Sequence, residues 1–198
     1  DGDVGSNKGG EDVWLGKIDD NGNLLWHQVY GGSGSDYPYY ISKTNDGGYL
    51  ITGYTNSSDS DITQNHGKLD FWVIKTDING AKVWQKTYGG SNDDIGILGV
   101  PSADGTGYII AGGAGSNDGD LNMNRGSLDG WVFKIDLSGN IVWQKTLGGT
   151  GDDTILGIIE NSDGSIETAG SSSSPDGDII GYHGGTGRDG WITRIQHN

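Results

Sequence analysis

Seven tryptophans fall into two columns of one repeat, and that period constrains the chain more than any other feature. Trp14, Trp72, Trp131 and Trp191 are spaced by 58, 59 and 60 residues, and Trp26, Trp84 and Trp143 repeat the first two intervals. The pairs Gly31-Gly32, Gly89-Gly90 and Gly148-Gly149 keep the same register, as do Asp36, Asp94 and Asp153 after them. Self-similarity at such a period marks one supersecondary unit used again and again.

The unit is read from turn chemistry and period-2 patterning. Thirty-nine glycines and 3 prolines in 198 residues describe many short strands and tight turns, and no helix is expected. In the second complete unit, strands are expected at 95–101, 108–112, 131–136 and 141–147, with turns at Asp104-Gly105-Thr106-Gly107 and Ser138-Gly139-Asn140. A long polar loop separates the second strand from the third. Gly96 and Gly99 inside the first strand predict close approach of other backbone.

Four antiparallel strands per period is the pattern of a propeller blade, whereas a coil of a parallel β-helix needs far fewer residues. An open stack or sandwich of meanders is the alternative. The expected fold is therefore all-β, built of propeller-type blades of about 59 residues in one repeat domain spanning 1–198. Residues 1–36 form a partial blade, 37–94 and 95–153 complete blades, and 154–198 a second partial blade. That makes two, four, four and three strands, about three and a quarter blades, where a ring needs at least about four. Completion by other copies of the chain, or by adjacent repeats of a longer one, is expected.

Composition narrows the partners. A net charge of −15 repels phosphate backbones and anionic membrane surfaces, which disfavours nucleic acid and lipid. Without cysteine there is neither disulfide nor thiolate metal site. No apolar stretch is long enough to span a bilayer. The chain opens inside a repeat, at Asp1-Gly2-Asp3, so an earlier leader or further repeats are expected to have been removed, or the sequence is a fragment.

The loops before the third strands carry acids in fixed places. The sets are Asp1, Asp3 and Asp12; Asp59, Asp61 and Asp70; Asp118, Asp120 and Asp129; and Asp176, Asp178 and Asp189. A D-x-D turn can present two carboxylates and a carbonyl to one hard cation, so Ca²⁺ is the candidate ligand. The competing reading is that these aspartates close Asx-turns. In the fourth loop the second Asp stands 13 positions before its tryptophan where in the others it stands 11, so this loop departs from the repeated spacing. A second column, Asp36, Asp94 and Asp153, reads as turn caps or as ion-pair partners of Lys17, Lys75 and Lys134.

Trp26, Trp84 and Trp143 read as packing between units, because every copy retains one. Tyr37, Tyr39 and Tyr40 differ, since their counterparts are Ile95, Ile97 and Leu98, then Thr154, Leu156 and Gly157. With Tyr54 they form a candidate glycan-stacking surface, against ordinary repeat drift. Enzymatic function is not expected. His27, His66, His183 and His197 show no repeated acid–nucleophile context, paired acids such as Asp93-Asp94 recur as repeat punctuation, and no nucleophile elbow, phosphate loop or zinc motif is present.

The run Ser116-Asn117-Asp118-Gly119-Asp120-Leu121, the strand from Asp129-Gly130-Trp131 to Asp136, Gly139-Asn140-Ile141-Val142-Trp143-Gln144-Lys145 and Gly148-Gly149-Thr150-Gly151-Asp152-Asp153 carry a resemblance. The chain resembles the tandem β-propeller repeats of secreted and cell-surface proteins of Bacteroidetes-type bacteria, and is similar to the wider group of bacterial seven-bladed propeller repeats. The resemblance implies a secreted or cell-surface location and a binding, adhesive or spacer role. It names no ligand. Two functions follow as expectations, a structural or adhesive module with calcium-binding acidic loops, or a carbohydrate-binding module.

Overall fold

The computed structural model describes residues 5–121, 123–185 and 187–196. Thirteen strands form four antiparallel meanders, with no helix among the described residues. The first sheet is β1 (Val13–Ile18) and β2 (Leu24–Tyr30). The second is β3 (Asp36–Lys43), β4 (Tyr49–Thr55), β5 (Asp70–Thr76) and β6 (Lys82–Tyr88). The third is β7 (Asp94–Pro101), β8 (Gly107–Ala114), β9 (Asp129–Asp136) and β10 (Ile141–Leu147). The fourth is β11 (Asp153–Glu160), β12 (Ile166–Ser172) and β13 (Asp189–Ile195).

The expected second strand stops two residues early and the expected third strand starts two residues late. β8 and β9 stay paired through Gly113↔Gly130 and Ala114↔Asp129, so Asp129 opens a strand and does not close a loop. The first strands of the second, third and fourth sheets carry a bulge at the same place, between Pro38 and Tyr40, Gly96 and Leu98, and Ile155 and Gly157. Such bulges bend a strand and re-aim its side chains.

Consecutive sheets stack. β7 lies on β3, β4 and β5, while β11 lies on β7, β8 and β9. Strand alternation then divides the apolar side chains between two junctions. Trp72 and Ile74 of β5 turn to Val13 and Tyr30 of the first sheet, while Phe71 and Val73 turn to Trp131 and Phe133 of the third. The last junction buries Leu98, Ile109 and Val132 against Ile155, Ile166 and Trp191. Each fully buried aromatic or branched side chain contributes about 1.5–3 kcal/mol. Gly96 permits the close stacking, because a Cβ there would strike the carbonyl oxygen of Gly53 in the preceding sheet.

Candidate functional site

The distinctive chemistry lies at one end of each junction, where backbone bonds bring two aspartates together. Asp36 N donates to Glu11 O, Asp94 N to Leu69 O and Asp153 N to Leu128 O, each at 2.6 Å. The residues following those acceptors are Asp12, Asp70 and Asp129. The first strand of each sheet therefore begins beside the third strand of the sheet before it.

The first-strand aspartates are fully buried and rich in donors. Asp94 Oδ2 accepts from Gly90 N and Ser116 Oγ, both at 2.7 Å, while its Oδ1 accepts from Gly115 N and Ser116 N at 3.0 and 3.1 Å. Asp36 accepts from Gly32 N, Ser57 Oγ and Thr55 Oγ1, and Asp153 from Gly149 N and Ser174 Oγ. These are turn caps. The expected lysine pairing does not form for Asp94 and Asp153, because Lys75 pairs with Asp46 at 2.8 Å and Lys134 with Asp104 at 2.6 Å. Both lysines stand five residues along the third strand from Asp70 and Asp129, about 16 Å away at strand rise.

The third-strand aspartates use one oxygen locally. Oδ2 accepts the backbone N–H of Lys8 (for Asp12), His66 (Asp70) and Arg125 (Asp129). Their Oδ1 atoms are buried without a hydrogen-bond partner. Those oxygens point at the next sheet's aspartate across the first glycine of the Gly-Gly pair. The place a Cβ on Gly89 would take is 2.8 Å from Asp70 Oδ1 and 2.7 Å from Asp94 Oδ2, and on Gly148 it is 2.6 Å from both Asp129 Oδ1 and Asp153 Oδ2. The glycine column is required by these facing carboxylates. Burial pushes the carboxyls of Asp70, Asp94 and Asp129 above the usual carboxylate range, and the neighbouring Asp120, Asp70 and Asp153, respectively, push the same way.

The D-x-D loops latch onto the same turns. Asp59, Asp118 and Asp176 accept from the backbone N–H of Ser33, Ser91 and Thr150 at 2.7–2.8 Å. Asp61 Oδ2 and Asp120 Oδ2 accept from Gly31 N and Gly89 N, and Asp178 N donates to Gly148 O. The expected acid sets are thus regrouped. Asp70 does not join Asp59 and Asp61 but faces Asp94 beside Asp120, and Asp129 faces Asp153 beside Asp178. The loop folds back on the turn before its own sheet, while the strand it feeds begins against the next. Asp189 Oδ2 accepts from His183 N at 2.7 Å; Asp1 and Asp3 lie outside the described residues. Among the described residues no three His, Cys, Asp or Glu side chains form a group able to hold a metal ion on their own.

A basic column escaped notice in the sequence. Lys8, His66, Arg125 and His183 all present their backbone N–H to the third-strand aspartate, and both histidine rings reach the same oxygen. His66 and His183 are therefore equivalent, an equivalence hidden by the two-residue longer fourth loop. The side chains of this column differ in reach. Lys8 and Lys82 pair with Asp61, and Arg125 pairs with Asp178. Among the described residues no lysine or arginine ion pair reaches Asp120.

The aromatic expectations resolve by position. Trp84 packs against Tyr108 with ring centroids 6.1 Å apart and donates Nε1–H to Leu137 O, and Trp26 lies 6.5 Å from Tyr49. Trp143 packs on the third junction's core. These tryptophans join sheets. Tyr54 stacks on Tyr37 at 5.4 Å and meets Tyr39 at 5.7 Å, and Tyr37 donates its hydroxyl to Glu11. Tyr37, Tyr39 and Tyr40 are exposed, and Tyr39 and Tyr40 line a shallow cleft of about 250 Å³ with Trp14, Pro38 and Ile51. Leu98, the counterpart of Tyr40 on β7, is instead buried in the junction with the fourth sheet, and Ile97, the counterpart of Tyr39, packs against the same cluster.

No family model matches the sequence. Regulatory protein FlaEY of Caulobacter vibrioides is 31% identical over 96 residues, which cover 46% of this chain and 10% of that protein. The match thus spans about a tenth of the length of that relative.

Proposed function

We propose that this chain is a non-enzymatic repeat module of β-propeller type, a structural or adhesive part of a secreted or cell-surface protein, whose acidic loops take up calcium. One observation supports it above all. The facing aspartates, the glycine between them and the D-x-D latch are built three times with the same bonds, which is how construction recurs, whereas an active site occurs once. Four-stranded meanders whose first strands pack on three strands of the preceding sheet suit blades stacked side by side. The outer edges of β1 and β13 carry no neighbouring strand in the described structure, and such edges are templates for pairing. Other copies of the chain, or adjacent repeats of a longer one, are the fitting partners.

The test is turnover. Offered chromogenic glycoside, ester and phosphate substrates, the purified chain returns no more product than its Asp94→Asn variant. Turnover that this substitution abolishes would overturn the reading.

A second reading, a carbohydrate-binding module, is favoured by one feature. The exposed rings of Tyr37, Tyr39 and Tyr40, braced by Tyr54, offer flat apolar faces beside the carboxylate of Glu11.

A further inference from the structure

We propose that the middle junction is a calcium site shared by two sheets, in which Asp70 Oδ1 of β5 and Asp94 Oδ2 of β7 take up one Ca²⁺ beside Gly89. This deepens the calcium reading above and rests on it, but moves the ion from within one loop to the seam between sheets.

Three observations lead there. Asp94 accepts four hydrogen bonds inside a fully buried site, a donor set that suits a carboxylate. Asp70 is also fully buried, and its Oδ1 has no donor although it faces Asp94 across Gly89. Two buried carboxylates turned toward each other need positive charge between them, because an uncompensated buried charge costs several kcal/mol. Asp120 adds a third acid on the amide of the same glycine.

The middle junction stands out by what is missing around it. At its neighbours a lysine pair or an arginine neutralises the corresponding acid, Asp61 or Asp178. Here the basic column holds His66, whose ring is spent on Asp70 Oδ2, the other oxygen of that carboxylate. The atoms left facing the seam are oxygens, which select a hard cation over a softer transition metal. Two carboxylates do not complete a calcium shell, and water and carbonyl oxygens supply the rest of its six to eight ligands.

The experiment titrates CaCl₂ into the metal-free chain, reading the melting temperature and the displacement of Tb³⁺ luminescence. The melting temperature should rise with calcium, as binding to the native state requires. Asp70→Asn and Asp94→Asn should each weaken binding on the order of tenfold or more, while Asp59→Asn and Asp118→Asn leave it intact. Asp94→Asn loses caps and can unfold the chain, so Asp70→Asn, whose Oδ1 has no hydrogen bond to lose, is the decisive variant. Calcium binding lost in Asp59→Asn or Asp118→Asn but kept in Asp70→Asn would leave the loop reading standing and overturn the seam site. No response to calcium in the unmodified chain would overturn both. A melt indifferent to calcium that instead rises on acidification from pH 7 to 5 would show that the pair shares a proton, and would overturn the proposal as well.

Discussion

Phe71 of β5 and Trp131 of β9 meet edge to face across two sheets, with ring centroids 5.1 Å apart and planes at 76°. Both are fully buried, so this contact belongs to the seam and not to either sheet alone. Phe71→Ala should cost about 3–5 kcal/mol in chemical denaturation, the range for emptying a well-packed aromatic site. Trp14→Ala, on the open face of the first sheet and 37% exposed, should cost markedly less. Equal losses would mean that the junctions do not carry the stability.

Gly89→Ala places a methyl within 2.8 Å of both Asp70 and Asp94. Neither carboxylate can retreat without breaking its backbone caps, so a loss of about 1–3 kcal/mol or more is expected. Gly148→Ala should behave alike. Gly157→Ala is the control, since its new Cβ would touch only Ala169 at 3.9 Å. Thermal melts of the three variants should separate the first two from the third.

At the opposite end of the second sheet, the buried ammonium of Lys75 lies 2.8 Å from Asp46. Hydrogen bonds from Lys75 and then Thr44 hold the Asp46 carboxyl down at about 2. A depressed carboxyl stabilises the fold above its ordinary value of about 3.9 and loses that contribution as pH falls through about 2. Asp46→Asn should therefore destabilise the chain at pH 7, by up to about 1 kcal/mol because Asp46 is exposed and Lys75 keeps its bond to Thr76 O, with the difference closing by pH 2. Urea titrations at pH 7, 4 and 2 check it, and a gap that persists at pH 2 would contradict the sign.

The unpaired edges of β1 and β13 predict association. Light scattering should return a multiple of the 20.8 kDa chain mass. A folded species at 20.8 kDa whose unfolding is independent of concentration would contradict this.

Much of the architecture was legible in the residues because it repeats. The tryptophan columns and the turn glycines place thirteen strands in four groups, and Gly96 announced the close approach of Gly53. The site was read less well. A carboxylate's loop is visible in sequence, but the sheet it faces is not, so Asp70 was grouped with Asp59 and Asp61 when its partner is Asp94, 24 residues on. Lysine partners failed for the same reason, since Lys75 and Asp70 share a strand but lie at opposite ends of it. The basic column was obscured by the two extra residues before Trp191. The exposure of the tyrosines could not be read at all, because it depends on which strands lie against β3.

A glycan array probed with the purified chain tests the structural reading most directly. A scaffold predicts no saturable binding to any glycan, with or without calcium, and no change when Tyr39 and Tyr40 are replaced by alanine. Saturable binding to a defined glycan, lost in Tyr39→Ala and Tyr40→Ala while the fold is retained, would contradict it and establish the carbohydrate-binding module in its place.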